Sequence, residues 1–353
     1  MNEDLKNNEI RYINILRALG IIAVVVGHSG SPIAPYLYLY HLALFFFISG
    51  FLFRDGDAQA LRPLIRKRLR SLYLPYVGYN IFFLSLHNVF VYGNILNLKY
   101  DRLLSTGDIM SRVGKILLFS SDERMPSAMW FLGSLFFVTI SFALIRRFSL
   151  RFARRELITV SIVAVIFTFG IMAFRRDAYF FLMLNNACVA LPVFYAGHLY
   201  KRHEDRVPMR GALAAAALIL LAALSRLGQI DLSANNYGPA WFFIVCSVAG
   251  IYANVYAAKA IAQRPGLHLL DRIGRNSIAI LALHFLSFKV VILAQIALNS
   301  LPLFLLGSSP ILDGSGGWWV LYSLVGIFVP LLARFAVLKS KRICVAYFER
   351  TKP

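Results

Sequence analysis

The feature that most constrains the fold is an apolar stretch with an arginine at one end and a histidine at the other. It reads RALGIIAVVVGH, from Arg17 to His28. At about 100° per residue, the eleven steps between them come to about 20° past three full turns, so both side chains share one face of a helix. The rise of about 1.5 Å per residue separates them by roughly 16 Å, half the thickness of a bilayer core. Ionisable groups at membrane depth are costly, and they usually mark a pathway or a site.

The composition predicts an all-α, polytopic membrane protein with about ten transmembrane helices. Of its 353 residues, 59% are hydrophobic and 15% are charged, and the apolar runs are long enough to cross a bilayer. No internal repeat or appended soluble module is visible, so residues 1–353 are expected to form a single integral-membrane domain. The predicted spans are about 12–29, 36–53, 71–93, 128–146, 156–174, 179–200, 211–228, 239–261, 277–297 and 317–338.

The formal net charge of +20 comes from basic clusters between the apolar segments. If the segments alternate in direction, these clusters all lie on one side, as the positive-inside rule requires of cytoplasmic loops. Both termini are therefore expected to be cytoplasmic. Nucleic acid is not expected as a partner, because no basic soluble module is present. The clusters are Arg62–Arg70, Arg146–Arg155, Lys201–Arg210, Arg264–Arg275 and Lys339–Lys352.

Three local features carry smaller predictions. The segment DIMSRVGKILLF, within the long external connection 94–127, has the periodicity of a short amphipathic helix. Asn276 and Ser277 precede an apolar run and are expected to cap its helix. The three cysteines have no metal-like spacing, so neither a disulfide framework nor a bound metal is predicted.

Several motifs, taken together and in order, resemble the integral-membrane acyltransferase-3 family, and most closely its fucose 4-O-acetylase-like branch. The first is the arginine, ten residues and histidine of the opening stretch. In two places the sequence departs from that pattern, with Ala43 where the family has proline and Leu281 where it has tyrosine. The other matches are YHLALFFFISGFLF (40–53), RKRLRSLYLPY (66–76), MWFLGSLF (129–136), LPVFYAGHL (191–199) and IGRNSIAILALHF (273–285).

The resemblance implies a membrane-bound O-acetyltransferase of the bacterial inner membrane. Such an enzyme would take an acetyl group from cytoplasmic acetyl-CoA, used as a co-substrate without a metal. Its acceptor would be a hydroxyl of a cell-surface or exported carbohydrate, either a polysaccharide or a lipid-linked glycan. The alternative is a transporter or flippase of a lipid-linked sugar, in which Arg17, His28 and Lys289 would be pathway groups.

His28 and Arg17 are the predicted catalytic residues. A neutral imidazole can take a proton from a sugar hydroxyl as it attacks a thioester, or it can carry the acyl group as a covalent intermediate. Arg17 suits the phosphates of the donor or the negative charge that develops on the thioester oxygen. The structural alternatives are a helix-end histidine bonded to a loop carbonyl and an arginine that snorkels to the cytoplasm.

A second group of residues is predicted to bind the two substrates. Arg66, Arg68 and Arg70 suit the phosphates of the donor, although the positive-inside rule and lipid headgroups also account for such a cluster. His41 and His284 are candidates for the acceptor side or for supporting the catalytic residues, and a hydrogen-bonded core histidine is the alternative for His41. Trp130 is a further candidate, although Trp130 and Phe131 also fit an interfacial aromatic belt.

The remaining ionisable residues have weaker predictions. Lys289 lies deep in a span with no evident carboxylate partner. Asp122 and Glu123 precede the fourth span and are expected to be solvated loop charges; the alternative is that they orient a sugar or assist His28. No constellation is evident around the other histidines, which are His87, His198, His203 and His268.

Overall fold

The computed structural model describes residues 2–97, 99, 101–175 and 182–350, and the regular structure of this part of the chain is helical. An isolated β-bridge between Asp231 and Asn236 is the one exception among the described residues. The all-α prediction is confirmed. The α-helices are α1 (Asn2–His28), α2 (Ala34–Tyr38), α3 (His41–Phe51), α4 (Asp55–Gln59), α5 (Leu61–Arg68), α6 (Leu74–Tyr92), α7 (Thr106–Leu117), α8 (Trp130–Ser149), α9 (Arg155–Arg175), α10 (Leu182–His203), α11 (Gly211–Leu224), α12 (Ala240–Ala262), α13 (His268–Arg275), α14 (Ser277–Leu298) and α15 (Trp318–Arg350).

Seven helical segments in the described chain are long and apolar enough to cross a membrane, which confirms a multi-pass membrane protein. The predicted spans 71–93, 179–200 and 211–228 also overlap helices, namely α6, α10 and α11, and residues 179–181 lie outside the described part of the chain. The count of ten and the cytoplasmic termini stay predictions. The seven segments are Arg11–His28, Ala34–Phe51, Ser127–Ser149, Arg155–Ala173, Ala240–Ala262, Ser277–Leu298 and Trp318–Val337.

Helix α1 lies at the centre of the bundle. It packs against α2, α3, α12, α13, α14 and α15. Of its spanning segment 61% is buried, whereas only 28% of the corresponding segments of α9 and α15 is buried. The helix that carries both predicted catalytic residues is therefore enclosed by protein, and α9 and α15 are peripheral.

Two glycines let α3 and α10 pack at very short range. A Cβ atom on Gly50 would lie 1.8 Å from the carbonyl oxygen of Phe194, and one on Gly197 would lie 2.1 Å from that of Phe47. Small residues allow such close backbone approach between helices in a membrane, where packing drives association. This contact fixes the position of α3, which begins at His41.

Basic residues of the described clusters lie at one end of the bundle, which we call the basic end; the side chains of the cluster Lys339–Lys352 lie outside the described part of the chain. There Arg11 donates to the carbonyl oxygen of Arg264, and Lys201 pairs with Glu9 at 2.7 Å. The N-terminal part of α1 thus lies beside two of the clusters. Since α1 runs from this end, His28 lies toward the opposite end of the bundle.

A cluster of ion pairs holds four helices together near the basic end. The Arg146 side chain on α8 is fully buried, and it binds Asp55 of α4 through Nε and Glu156 of α9 through Nη2, both at 2.8 Å. Arg202 of α10 contacts the same two carboxylates. His198 Nε2 lies 3.4 Å from Asp55 Oδ1. The prediction that His198 has no group of functional residues around it is therefore wrong.

A short π-helix, Leu69–Tyr73, joins α5 to α6. A π-helix accommodates an extra residue in its turn, and such turns often occur at functional sites. It lies directly beside Arg68, the last residue of α5.

The predicted amphipathic helix is present as α7, and its first turn is capped by Ser105, whose Oγ accepts from Asp108 N at 3.2 Å. The other capping prediction is wrong in detail. Helix α14 begins at Ser277, but the side chain of Asn276 makes no cap hydrogen bond. It donates instead to the carbonyl oxygen of Arg272 at 2.7 Å, at the end of α13.

Glu123 is buried, so its prediction as a solvated loop charge is wrong. Its Oε2 lies 3.1 Å from His87 Nδ1, and its Oε1 accepts from Arg112 at 2.6 Å. His87 Nε2 also lies 3.1 Å from the carbonyl oxygen of Arg102, so His87 is not isolated either. Neither residue could be paired from sequence, since the partners come from three separate segments. Asp122 is half-exposed and pairs with Lys115.

Candidate active site

Two cavities follow one another along the same face of α1. The inner cavity, toward the basic end, has a volume of about 250 Å³ and is lined by Arg17, Ile21 and Val24. The outer cavity, of about 40 Å³, is lined by Val24 and His28. These positions are separated by four, three and four residues, as one helix face requires. The structure therefore confirms that Arg17 and His28 share a face, and it places each at a different cavity.

The inner cavity brings three arginines together. Arg17 comes from α1, Arg68 from the end of α5 and Arg275 from the end of α13. Arg275 pairs with Asp271 at 2.8 Å, whereas no salt bridge within the described chain includes Arg17 or Arg68. Two cations that form no salt bridge in the described chain favour an anionic ligand in this cavity.

A chain of hydrogen bonds holds Arg17 in place. Its Nη1 donates to Asn14 Oδ1 at 3.3 Å, and Asn14 Nδ2 donates to Asp271 Oδ1 at 2.8 Å. These two bonds fix which way the Asn14 amide points, because its oxygen accepts and its nitrogen donates. The contact depends on Gly274, where a Cβ would lie 1.8 Å from the Asn14 carbonyl oxygen. The close packing of α13 on α1 thus positions the arginine.

Two buried polar atoms in the wall of the inner cavity have no partner among the described residues. They are Arg68 Nε and Ser71 Oγ. Burial lowers the pKa of the Arg68 guanidinium; the charge of Asp57 opposes this shift, and the nearby charge of Arg17 adds to it. Buried donors left without acceptors are rare and costly. An oxyanion bound here would supply the missing acceptors and separate the two like charges.

The outer cavity surrounds His28 with polar and aromatic groups. His28 Nδ1 lies 3.0 Å from the hydroxyl of Tyr38. His41 and Trp130 also line the cavity, together with the loop residues 230–233, among them Asp231. Because Tyr38 occupies Nδ1, Nε2 is the nitrogen of His28 left to exchange a proton with a ligand.

Two further histidines lie close to His28. His41 Nδ1 is 2.8 Å from the Leu37 carbonyl oxygen, and His284 Nδ1 is 2.9 Å from that of Leu281. A carbonyl oxygen only accepts, so these contacts assign the proton to Nδ1 in both rings. The ring of His284, which is 0% exposed, stacks on that of His28 at 5.5 Å between centroids. His284 therefore backs the His28 ring, and its own Nε2 has no partner in the described part of the chain.

The structure places the sequence-predicted residues at three locations. Arg66 and Arg70 are exposed outside the inner cavity, and their role in donor binding stays a prediction. His284 lies behind His28, outside the lining of the outer cavity. The other predicted residues line a cavity: Arg17 and Arg68 line the inner one, and His28, His41 and Trp130 line the outer one.

The structure corrects the predictions made for Phe131 and Lys289. Phe131 is not an interfacial belt residue, because it is 4% exposed and borders both cavities. Lys289 is buried, and its Nζ donates to the carbonyl oxygens of Leu306 at 2.9 Å and Ser308 at 2.7 Å. The lysine thus fastens the loop after α14, and the charge that had no evident partner is hydrogen-bonded to backbone.

Sequence reasoning did not single out four residues that the structure adds to the site. These are Tyr38 at His28, Asp231 at the outer cavity, and Asn14 and Asp271 beside Arg17. One signal was available for Asn14, since it lies three residues before Arg17, on the same helix face. The other three come from segments whose docking only the fold defines.

Comparisons with known proteins give one match. A family model described as an acyltransferase domain matches residues 10–335. No curated protein and no solved structure shows significant similarity to the chain. The matched region includes both cavities and every residue that lines them. The chain belongs to the acyltransferase-3 family and is a membrane acyltransferase.

Proposed function

We propose that this protein is an O-acetyltransferase of the bacterial inner membrane, with acetyl-CoA as donor and a carbohydrate hydroxyl as acceptor. The observation that supports this most directly is the pair of cavities on one face of α1. One contains unpaired cations at the basic end, and the other contains a histidine toward the opposite end. That arrangement suits a phosphate-rich donor from the cytoplasm and an acceptor from the other side.

The inner cavity fits the donor chemically. Arginine binds phosphate oxygens through several parallel donors, and Arg68 Nε and Ser71 Oγ are buried donors without acceptors among the described residues. Arg17, held by Asn14, would bind the phosphates. The roughly 16 Å between Arg17 and His28 suits an elongated pantetheine arm better than a compact ligand.

His28 would act as the general base at the outer cavity. The acceptor hydroxyl gives its proton to Nε2 as its oxygen forms a bond to the thioester carbonyl carbon. The carbon–sulfur bond then breaks, the thiolate takes up a proton, and an O-acetyl ester and free coenzyme A leave. Tyr38 orients the ring through Nδ1, and Trp130 with Asp231 offers an aromatic face and a carboxylate to a sugar.

The test measures free thiol released from acetyl-CoA by the purified protein in lipid nanodiscs, with a mixture of glycan acceptors. We expect His28→Ala to lower the rate about 10²- to 10⁴-fold, the usual contribution of a general base. Arg17→Gln and Arg68→Gln should raise the KM for acetyl-CoA. His203→Ala is the control, since this exposed residue at the basic end lines neither cavity. No thiol release by the wild type with any acceptor would contradict the proposal and direct attention to transport.

A second measurement separates the two roles of His28. In the absence of acceptor, an acyl carrier would release one equivalent of thiol rapidly and keep the labelled acetyl group on the protein. A general base would release none beyond slow hydrolysis. Because Tyr38 occupies Nδ1, the same nitrogen, Nε2, would serve in either role.

A further inference from the structure

Four apolar side chains separate the inner cavity from the outer one. They border both cavities, and we call them the septum: Val24 of α1, Leu42 of α3, Phe131 of α8 and Leu281 of α14. Arg17 and Arg68 lie on one side of it, and His28 and His41 lie on the other. A group that moves along this face of α1 from the arginines to His28 must therefore pass the septum.

Phe131 is the largest member of the septum and is held by other aromatic rings. Its ring centroid lies 5.6 Å from that of Phe45 and 5.1 Å from that of Phe46, both in edge-to-face geometry. Trp130, its neighbour in the chain, contacts the ring from the side of the outer cavity. Such contacts restrict the ring to a narrow range of positions.

The space beyond the septum is small. The outer cavity measures about 40 Å³, against about 250 Å³ for the inner one. A volume of that size holds a few water-sized groups. The carbonyl and methyl of an acetyl group are three heavy atoms, whereas each further methylene of a longer acyl chain would have to displace packed side chains.

We infer that the septum selects the acyl group, so that the donor is a two-carbon thioester and Phe131 is the main determinant of acyl length. This inference rests on the proposed function, since it concerns the donor of that reaction. It also assigns the septum a second effect. By separating the aqueous basic end from His28, it keeps water on the donor side from reaching the thioester carbonyl at the histidine.

The experiment compares acetyl-, butyryl- and hexanoyl-CoA in the thiol-release assay. For the wild type we expect the rate with hexanoyl-CoA to be at least about 100-fold below that with acetyl-CoA, since each unaccommodated methylene costs about 10-fold or more. Phe131→Ala should lower the ratio of the acetyl-CoA rate to the hexanoyl-CoA rate at least 10-fold. It should also raise hydrolysis of acetyl-CoA without acceptor.

Leu135→Ala is the matched control. Leu135 lies one turn further along α8 and lines the inner cavity without touching the outer one. It should leave the acetyl-to-hexanoyl ratio unchanged. Leu42→Ala and Phe131→Leu remove less volume than Phe131→Ala, and each should shift the ratio in the same direction if Phe131→Ala fails to fold.

The outcomes distinguish the two proposals. If no acyl-CoA releases thiol, the proposed function fails and the inference fails with it. If acetyl transfer occurs but hexanoyl-CoA is used equally well, only the septum inference is overturned. The same conclusion holds if the folded septum variants, Phe131→Leu and Leu42→Ala, keep the wild-type ratio.

Discussion

Tyr38 hydrogen-bonds to the histidine that ends the preceding long helix: its hydroxyl lies 3.0 Å from His28 Nδ1. The two residues are ten positions apart, and the chain between them reverses direction through Gly30, whose φ is +75°. Their rings also meet edge to face at 5.8 Å. The turn after α1 thus orients the imidazole.

Tyr38→Phe should lower kcat/KM about 5-fold while the protein folds normally. The substitution keeps the ring contact and removes one hydrogen bond, a contribution of about 1 kcal/mol. Tyr36→Phe in the same short helix is the control, because Tyr36 lines neither cavity and should leave the rate unchanged. Equal rates for wild type and Tyr38→Phe would show that the ring needs no such orientation.

Asp271→Asn should raise the KM for acetyl-CoA by roughly 3- to 10-fold with little change in kcat. The carboxylate holds Asn14 and Arg275, and through Asn14 it positions Arg17 without facing the reacting atoms. The asparagine keeps a neutral acceptor for Asn14, so the change costs at most the about 1.5 kcal/mol of a hydrogen bond to a charged group, which is about 10-fold. The control is Asp205→Asn, an exposed carboxylate at the same end. A fall in kcat at constant KM would contradict a positioning role.

Arg146→Met should destabilise the protein by about 3 kcal/mol. This value is the lower end of the range for breaking a buried ion pair. The carboxylates of Asp55 and Glu156 are partly exposed, and both remain paired with Arg202 in the variant. Arg147→Met is the matched control, since within the described chain its exposed side chain donates to the Gln59 carbonyl oxygen and forms no salt bridge, and the substitution should cost less than about 1 kcal/mol. Unfolding midpoints in detergent, measured for both variants, provide the comparison.

Acidification below about pH 4 should destabilise the same ion cluster. Burial alone would raise the pKa of Asp55, but the hydrogen bonds and charges of Arg146 and Arg202 hold it below its usual value. Between the folded and unfolded pKa values of Asp55, the unfolded state binds more protons than the folded state. The contribution of Asp55 to the free energy of unfolding is therefore fully present above about pH 4, and it is lost as the pH falls through the folded pKa. Asp55→Asn should flatten this part of the stability–pH curve. Parallel curves for variant and wild type would refute the assignment.

Much of the site could be predicted because it is local. Arg17 and His28 lie on one continuous helix, so their shared face and axial separation follow from helix geometry alone. The cavities confirm that geometry. The helical spans follow in the same way, from runs of apolar residues that are long enough to cross a bilayer.

The rest depends on how distant segments dock. Asp271 reaches Asn14 only because Gly274 lets α13 pack directly on α1. Phe131 fits an aromatic belt by its position near a span end, yet the packing of α3 and α8 buries it between the cavities. Glu123 and His87 are 36 residues apart, and no periodicity connects a loop with a helix end.

The π-helix between α5 and α6 has a consequence for how this chain can tolerate change. Ser71 lies within it and Arg68 directly precedes it, and both line the inner cavity. The wide turn already accommodates one extra residue, so a further single-residue insertion there would be wound as regular helix and would turn everything before it by about 100° relative to α6. Arg68 would then leave the cavity, although no cavity-lining residue had been replaced. The proposed binding of phosphate by this chain therefore depends on the number of residues in this one turn as much as on the side chains that line the cavity.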